Sequence, residues 1–215
     1  MKKCFLLLVW TTLAVVVTAQ KVRLNGYTNY VFDDSFDSYY DPYNYYNGKL
    51  KGGFQWGGGV EFMVKPNYCI ELLYLHQSTE APTTYQGGLG FTVKNETFDV
   101  QLNNILLGVD GHFSKPNGRV EGYAGFFGGI AIIDIDNPAT GNSGSTSEFA
   151  WLGRIGCNIW TEGKIGIKLQ AQIYSVAQAV GGGFYFGTGA GVGLSSYSTI
   201  YQFGLGGGLT FRLGK

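Results

Sequence analysis

From residue 22 onward the chain alternates apolar and polar positions with a period of two, the pattern of strands with one face in each environment. In the first run Val22, Leu24, Thr28, Tyr30 and Phe32 fall on one side. Phe54, Trp56, Val60, Phe62 and Val64 share a face, with Gln55, Gly57, Gly59 and Glu61 opposite. Ile70, Leu72 and Tyr74 alternate with Glu71, and Ile105, Leu107, Val109 and Phe113 with Asn104, Gly108, Asp110 and His112. Phe149, Trp151, Ile155, Cys157 and Ile159 oppose Arg154, Gly156 and Asn158. Ile165, Ile167, Leu169, Ala171 and Ile173 oppose Gly166, Lys168, Gln170 and Gln172. The last run sets Tyr201, Phe203, Leu205, Leu209 and Phe211 against Gln202, Gly204, Gly206, Gly208, Thr210 and Arg212. The stretch 120–133 is apolar and glycine-rich on both sides, so its faces stay unassigned. The pattern predicts about eight strands, an even number as in single-chain exported barrels.

The connections alternate in length. Residues 33–50, 79–96, 134–148 and 180–197 form long connections, whereas 65–68, 114–119 and 161–164 are tight turns. Long loops at one end and short turns at the other are the sorting of an up-and-down transmembrane β-barrel with short periplasmic turns and long extracellular loops. Tyr201 and Phe211 lie ten residues apart on one face. At ~3.3 Å per residue and a tilt of ~40° they stand roughly 25 Å apart along the membrane normal, the height of the apolar band between two aromatic girdles.

Composition narrows the class further. Charged residues are 14% of the chain against roughly 25% in an ordinary soluble domain, and the formal net charge is +0, which argues against nucleic acid as a partner. Hydrophobic residues at 45% argue against a disordered chain. Met1-Lys2-Lys3, the apolar run 4–17 and the small residues of Val17-Thr18-Ala19 read as a cleavable leader. The expected organisation is a signal peptide over 1–19 and one barrel domain over 20–215. Losing Lys2 and Lys3 takes two of the 15 basic residues against 15 acidic ones and leaves a mature net charge of about −2.

The closing run Gly206-Gly207-Gly208-Leu209-Thr210-Phe211 is similar to the C-terminal signal of outer-membrane barrels, with four residues following where many members end on the aromatic. With the strand pattern of the whole mature chain, it resembles the small OmpA/OmpX-type outer-membrane β-barrel family. That resemblance implies a place in the outer membrane of a Gram-negative bacterium. It also implies contact with outer-membrane lipid and lipopolysaccharide, and handling by the barrel assembly machinery.

Eight strands enclose an interior just wide enough for side chains to fill. Charges of both signs on the inward parity must then pair, which predicts a lumenal network of Glu61 and Glu71 with Arg154 or Lys168. A gated ion path is the functional alternative to a filled polar core. Cys69 is expected to point inward and Cys157 to lipid, on strands too far apart for a disulfide.

No His-Glu-x-x-His, Cys-x-x-Cys or phosphate loop occurs, and Gly187, Gly189, Gly191 and Gly193 open no helix, so no cofactor, metal or catalytic residue is assigned. His76-Gln77-Ser78 bears a likeness to the His-x-Ser of lipid A deacylases. Thr79 stands where those enzymes carry Asn, and only Glu80 is near enough in sequence to orient the histidine. The connection 33–50 carries Tyr39, Tyr40, Tyr43, Tyr45 and Tyr46 among Asp33, Asp34, Asp37 and Asp41. Two readings stand: a rigid, amphipathic recognition surface, with a divalent ion at the aspartates, or a tyrosine-rich strand extension at the headgroup girdle. Asp134, Asp136, Asn137, Asn142 and Glu148 offer oxygens for Ca²⁺ without EF-hand spacing. The expected function is a non-enzymatic structural and surface-interaction role through the outer loops. A narrow porin-like channel and a lipid-modifying enzyme are the alternatives.

Overall fold

The computed structural model describes residues 22–41, 44–86, 93–115, 118–177 and 200–213. They form ten antiparallel strands: β1 (Val22–Val31), β2 (Asp34–Asp41), β3 (Asn44–Leu50), β4 (Gly53–Lys65), β5 (Tyr68–Gln86), β6 (Val93–Ser114), β7 (Val120–Asn137), β8 (Asn142–Trp160), β9 (Ile165–Ala177) and β10 (Ile200–Leu213). Eight of them close a ring in the order β1-β4-β5-β6-β7-β8-β9-β10. The first and last strands seal it in unbroken register from Val22 opposite Leu213 to Val31 opposite Gly204. Closure removes the unpaired edges that a sheet in lipid cannot leave open.

Alternation sets the faces. Leu72, Leu107, Val109, Phe126, Ile155, Leu169, Leu205 and Leu209 are exposed on the outside, as are Tyr201 and Phe211 at either end of the band. Arg23, Glu61, Glu71, Asp110, Arg154, Lys168 and Gln172 are buried inside. The unassigned run resolves as β7, with Glu121, Tyr123, Phe127, Ala131, Ile133 and Ile135 inward and Val120, Phe126 and Ile130 outward. The interior is not polar throughout. Toward the end of the long connections it becomes a cluster of Leu73, Leu75, Leu102, Leu106, Phe127, Ala131, Ile133, Leu152 and Val176.

The end where β1 begins and β10 ends has the tight turns, and the other end is built differently from the expected loops. Much of 33–50 is the hairpin β2–β3, and most of 79–96 and 134–148 continues β5, β6, β7 and β8. Polar residues hid these extensions: above the apolar band the outer face meets water, and the buried inner face mixes Thr83 and Asn137 with Ala81, Phe98 and Ile135, so the alternation disappears. β3 pairs with the outer end of β5, so the hairpin widens the sheet. β7 and β8 meet in a turn whose Gly141 has φ +71°, the left-handed region that favours glycine. The expected leader over 1–19 and the expected connection 180–197 lie outside the described residues.

Candidate functional site

The ring brings inward residues from eight strands to one tier on the side of the tight turns. Strand register alone places Glu61 directly opposite Glu71, a like-charge pair that is unfavourable unless cations answer it. They come from the far wall. Lys168 Nζ lies 2.8 Å from Glu61 Oε1, and Arg154 pairs with Glu71 through Nη2. Asn25 Nδ2 donates to both carboxylates, at 2.7 Å to Glu61 and 2.9 Å to Glu71. The four residues expected to form the lumenal network therefore occupy one connected cluster.

That cluster is larger than the sequence pattern indicated. Arg154 also donates to Asp110, through Nε at 3.1 Å and Nη2 at 2.5 Å, and to the Tyr27 hydroxyl at 2.9 Å. Tyr27 in turn donates to Glu71 at 2.7 Å. Arg23 donates to Glu121 at 2.6 and 3.2 Å, and His112 Nδ1 lies 3.0 Å from the same carboxylate. Asn158 adds a bond to Glu121 at 2.9 Å. Aromatic faces line the cations: Phe127 lies 4.5 Å from the Arg154 guanidinium and Tyr123 4.7 Å from Lys168 Nζ. Trp160 floors the tier, with Arg212 at 3.3 Å and Arg23 at 5.0 Å from its ring. Asp110 and His112 were visible on the polar parity of their strand. Glu121 sits where the parity was ambiguous, and Arg23, Asn25 and Tyr27 are joined to the rest only by barrel closure.

Next to this ionic tier lies one of neutral amides. Gln170 donates to Asn29 at 2.9 Å and Gln172 to Gln55 at 2.8 Å, while Tyr123 donates to Gln170 at 3.0 Å. Beyond it stands the apolar cluster of the outer half. Cys69 is buried within the barrel and Cys157 has the outward parity of Ile155 and Ile159; both are free thiols.

The other candidate residues are spread over the outer rim. His76 Nδ1 lies 2.8 Å from Asn103 Oδ1, which also accepts from the Tyr74 hydroxyl at 2.9 Å. Glu80 is held by Lys51 at 2.8 Å and does not orient His76. Tyr39 and Tyr40 belong to β2, and Tyr45 and Tyr46 to β3, with Tyr39 opposite Tyr45 and Tyr46 opposite Tyr85 in backbone register. Tyr43 lies outside the described residues. Asp33 anchors the hairpin base: it pairs with Lys49 and accepts the Gly52 N–H at 2.6 Å. The bond from Lys49 and then that from Gly52 hold the Asp33 carboxyl below the usual carboxylate range. Asp34 Oδ2 accepts the Tyr201 N–H at 2.9 Å, so both aspartates are engaged by the protein itself.

A closed ring of eight strands, apolar outside and ion-paired within, defines an outer-membrane-type β-barrel. Solved structures show the same fold. The outer membrane protein OprG from Pseudomonas aeruginosa superimposes with a TM-score of 0.58 at 13% identity, covering 91% of this chain and 97% of that one. Neisserial surface protein A (NspA) gives a TM-score of 0.52 at 10% identity, covering 89% of this chain and 97% of that one. No protein-family model and no curated protein matches the chain. The architecture is that of the small OmpA/OmpX-type outer-membrane barrels.

Proposed function

We propose that this chain is a closed, non-enzymatic barrel of a Gram-negative outer membrane that acts through the sheet surface it raises above the lipid. The observation that carries the reading is the β2–β3 hairpin docked on the outer end of β5, which extends the wall where the four strands β5 to β8 outrun the apolar band. A barrel needed only to span lipid has no use for that wall. Tyrosines concentrated on the hairpin supply contact area at low entropic cost. The filled interior supports closure: Glu61, Glu71, Lys168, Leu106 and Phe127 are all inaccessible to water. Lipopolysaccharide meets the aromatic rim, the glycine-rich last strand is presented to the barrel assembly machinery, and no nucleic-acid contact is part of this role.

The test has two arms. Outer-membrane extracts run unboiled and boiled in SDS should show a heat-dependent shift; an unshifted band in the periplasmic fraction would overturn the membrane assignment. Cells displaying the wild-type barrel and cells displaying Tyr39→Ser/Tyr40→Ser/Tyr45→Ser/Tyr46→Ser are then compared for adhesion to immobilised glycans and to host-cell surfaces. The surface role requires adhesion that the substitutions abolish, with the heat shift retained. Loss of a lipid A acyl chain on expression, reversed by His76→Ala, would replace this reading with an enzymatic one.

A further inference from the structure

Three potential metal ligands converge in the ionic tier, one shell in from the mouth at the tight-turn end. Cys69 Sγ lies 3.4 Å from His112 Nε2, and His112 Nε2 lies 3.9 Å from Glu61 Oε2. One ligand atom from each residue falls within 4.8 Å of the others, and all three residues are buried. Bond lengths of ~2.3 Å to sulfur and ~2.0–2.2 Å to nitrogen and oxygen give a tetrahedral Zn²⁺ site edges of about 3.3–3.6 Å. The Cys–His edge already has that length, and the His–Glu edge closes with a shift of about half an ångström.

Two independent features aim these groups at a cation. Glu61 Oε2 is fully buried yet accepts no hydrogen bond, although Oε1 of the same carboxylate takes bonds from Asn25 and Lys168. A buried carboxylate oxygen without a hydrogen-bond donor is costly, and this one lies between Arg23 Nη1 at 3.7 Å and His112 Nε2 at 3.9 Å, both too far to donate to it. Glu121 lies 3.0 Å from His112 Nδ1, and with the proton on Nδ1 the Nε2 lone pair faces Cys69 and Glu61. A carboxylate behind the imidazole is the usual support of a metal-bound histidine.

The buried carboxylates Glu61, Glu71, Asp110 and Glu121 face Arg23, Arg154 and Lys168, and Arg212 at the mouth lies 4.0 Å from Glu121. We infer that Cys69, His112 and Glu61 form a lumenal site for a borderline-soft divalent metal of the Zn²⁺ type, completed by a water and entered past Glu121 and Arg212. On binding, the Sγ–H bond breaks, its proton leaves to buffer, and a sulfur–metal bond forms without change of oxidation state.

The test uses the folded mature barrel in detergent micelles and the metals alone. After chelator washing and dialysis against Zn²⁺, elemental analysis should give one zinc per barrel. Co²⁺ should give a thiolate-to-cobalt charge-transfer band with intense tetrahedral ligand-field bands. Cys69→Ser should abolish the charge-transfer band, Cys157→Ser should leave it intact, and Glu121→Gln should weaken Zn²⁺ binding about 10–100-fold. The heat shift in SDS verifies that each variant is folded. In the Cys157→Ser background Cys69 is the only mature thiol, and bound Zn²⁺ should slow its reaction with a maleimide; this readout needs no change at the site. Less than one zinc per barrel, a cobalt spectrum without the band, retention of the band in folded Cys69→Ser, or no protection of Cys69 would each overturn the proposal.

Discussion

Replacing Arg154 by methionine isolates what the ion pairs contribute to the barrel. The side chain is 3% exposed and supplies four donor contacts, two to Asp110, one to Glu71 and one to the Tyr27 hydroxyl. Methionine keeps most of the aliphatic stem and removes every donor, along with the guanidinium that lies over Phe127. The two carboxylates do not suffer equally. Glu71 retains Tyr27 at 2.7 Å and Asn25 at 2.9 Å, whereas Asp110 retains only the Cys69 thiol at 3.9 Å. Breaking a buried pair costs about 3–5 kcal/mol, because the remaining charge is left uncompensated. That charge resides on Asp110. Arg154→Met should therefore destabilise the barrel by about 3–5 kcal/mol in urea titrations in micelles at neutral pH, followed by tryptophan emission. Asp110→Asn in the same background should recover more than half of the loss, and Glu71→Gln distinctly less. A single-variant loss under about 1 kcal/mol, the worth of an exposed pair, would refute the reasoning, as would better rescue by Glu71→Gln.

Three further outcomes follow from the same structure. A Cβ on Gly208 would meet the Gly26 carbonyl oxygen at 1.8 Å, while one on Gly26 has nothing within 4 Å. Gly208→Ala should cost about 1–3 kcal/mol in urea unfolding and Gly26→Ala should be neutral or stabilising by up to about 1 kcal/mol. Because the folded state depresses the Asp33 pKa, its anchoring of the hairpin is complete above the unfolded value of ~3.9 and is lost as pH falls through the lower folded value. The Gly52 amide proton, followed by NMR in micelles, should therefore titrate with a midpoint below ~3.9, and a midpoint at or above it would contradict the anchor. In planar bilayers the wild-type barrel should show no steady conductance, and Arg154→Met should stay silent as well; sustained openings in either would favour the channel.

The strands within the apolar band were legible because lipid on one side and a packed lumen on the other impose a strict period of two. That logic read Glu61 and Lys168 inward and Leu205 and Leu209 outward without knowledge of the register. It fails above the band, where the outer face meets water and the buried inner face mixes Thr83 and Asn137 with Ala81, Phe98 and Ile135, and so the hairpin and the outer parts of β5 to β8 read as loops. It also fails where both faces are apolar. Phe126 and Phe127 are indistinguishable in the sequence, yet one is exposed and the other fully buried. Glu61, Glu71, Arg154 and Lys168 were visible strand by strand as a network of opposite charges, but which carboxylate meets which cation, and the joining of Arg23 and Glu121 to them, were not. Lys168 meets Glu61 across a separation of 107 residues, and Arg23 meets Glu121 across 98. Such contacts depend on closure and strand stagger, which one chain's periodicity does not encode.

The two halves of the interior solve different problems. An ion that entered the charged tier would pass the amides of Asn29, Gln55, Gln170 and Gln172 and then meet Leu73, Leu106, Phe127 and Leu152, which offer it no polar partner. In the closed barrel proposed above, the apolar half is therefore the barrier to ions, and the ionic half adds something else. Its value lies in register. In the outer half Leu72 and Leu73, Leu106 and Leu107, and Phe126 and Phe127 are neighbours on opposite faces. A one-residue slip there exchanges apolar for apolar and is weakly opposed. The same slip in the ionic half turns Arg23, Arg154 or Lys168 into lipid, at about 2–4 kcal/mol for each near the midplane, and orphans the carboxylates left behind. The pairs also reach across the ring, β8 to β5, β9 to β4 and β1 to β7, so no two adjacent strands can slip together unopposed. The charged tier thus specifies the alignment that the permissive apolar tier then fills.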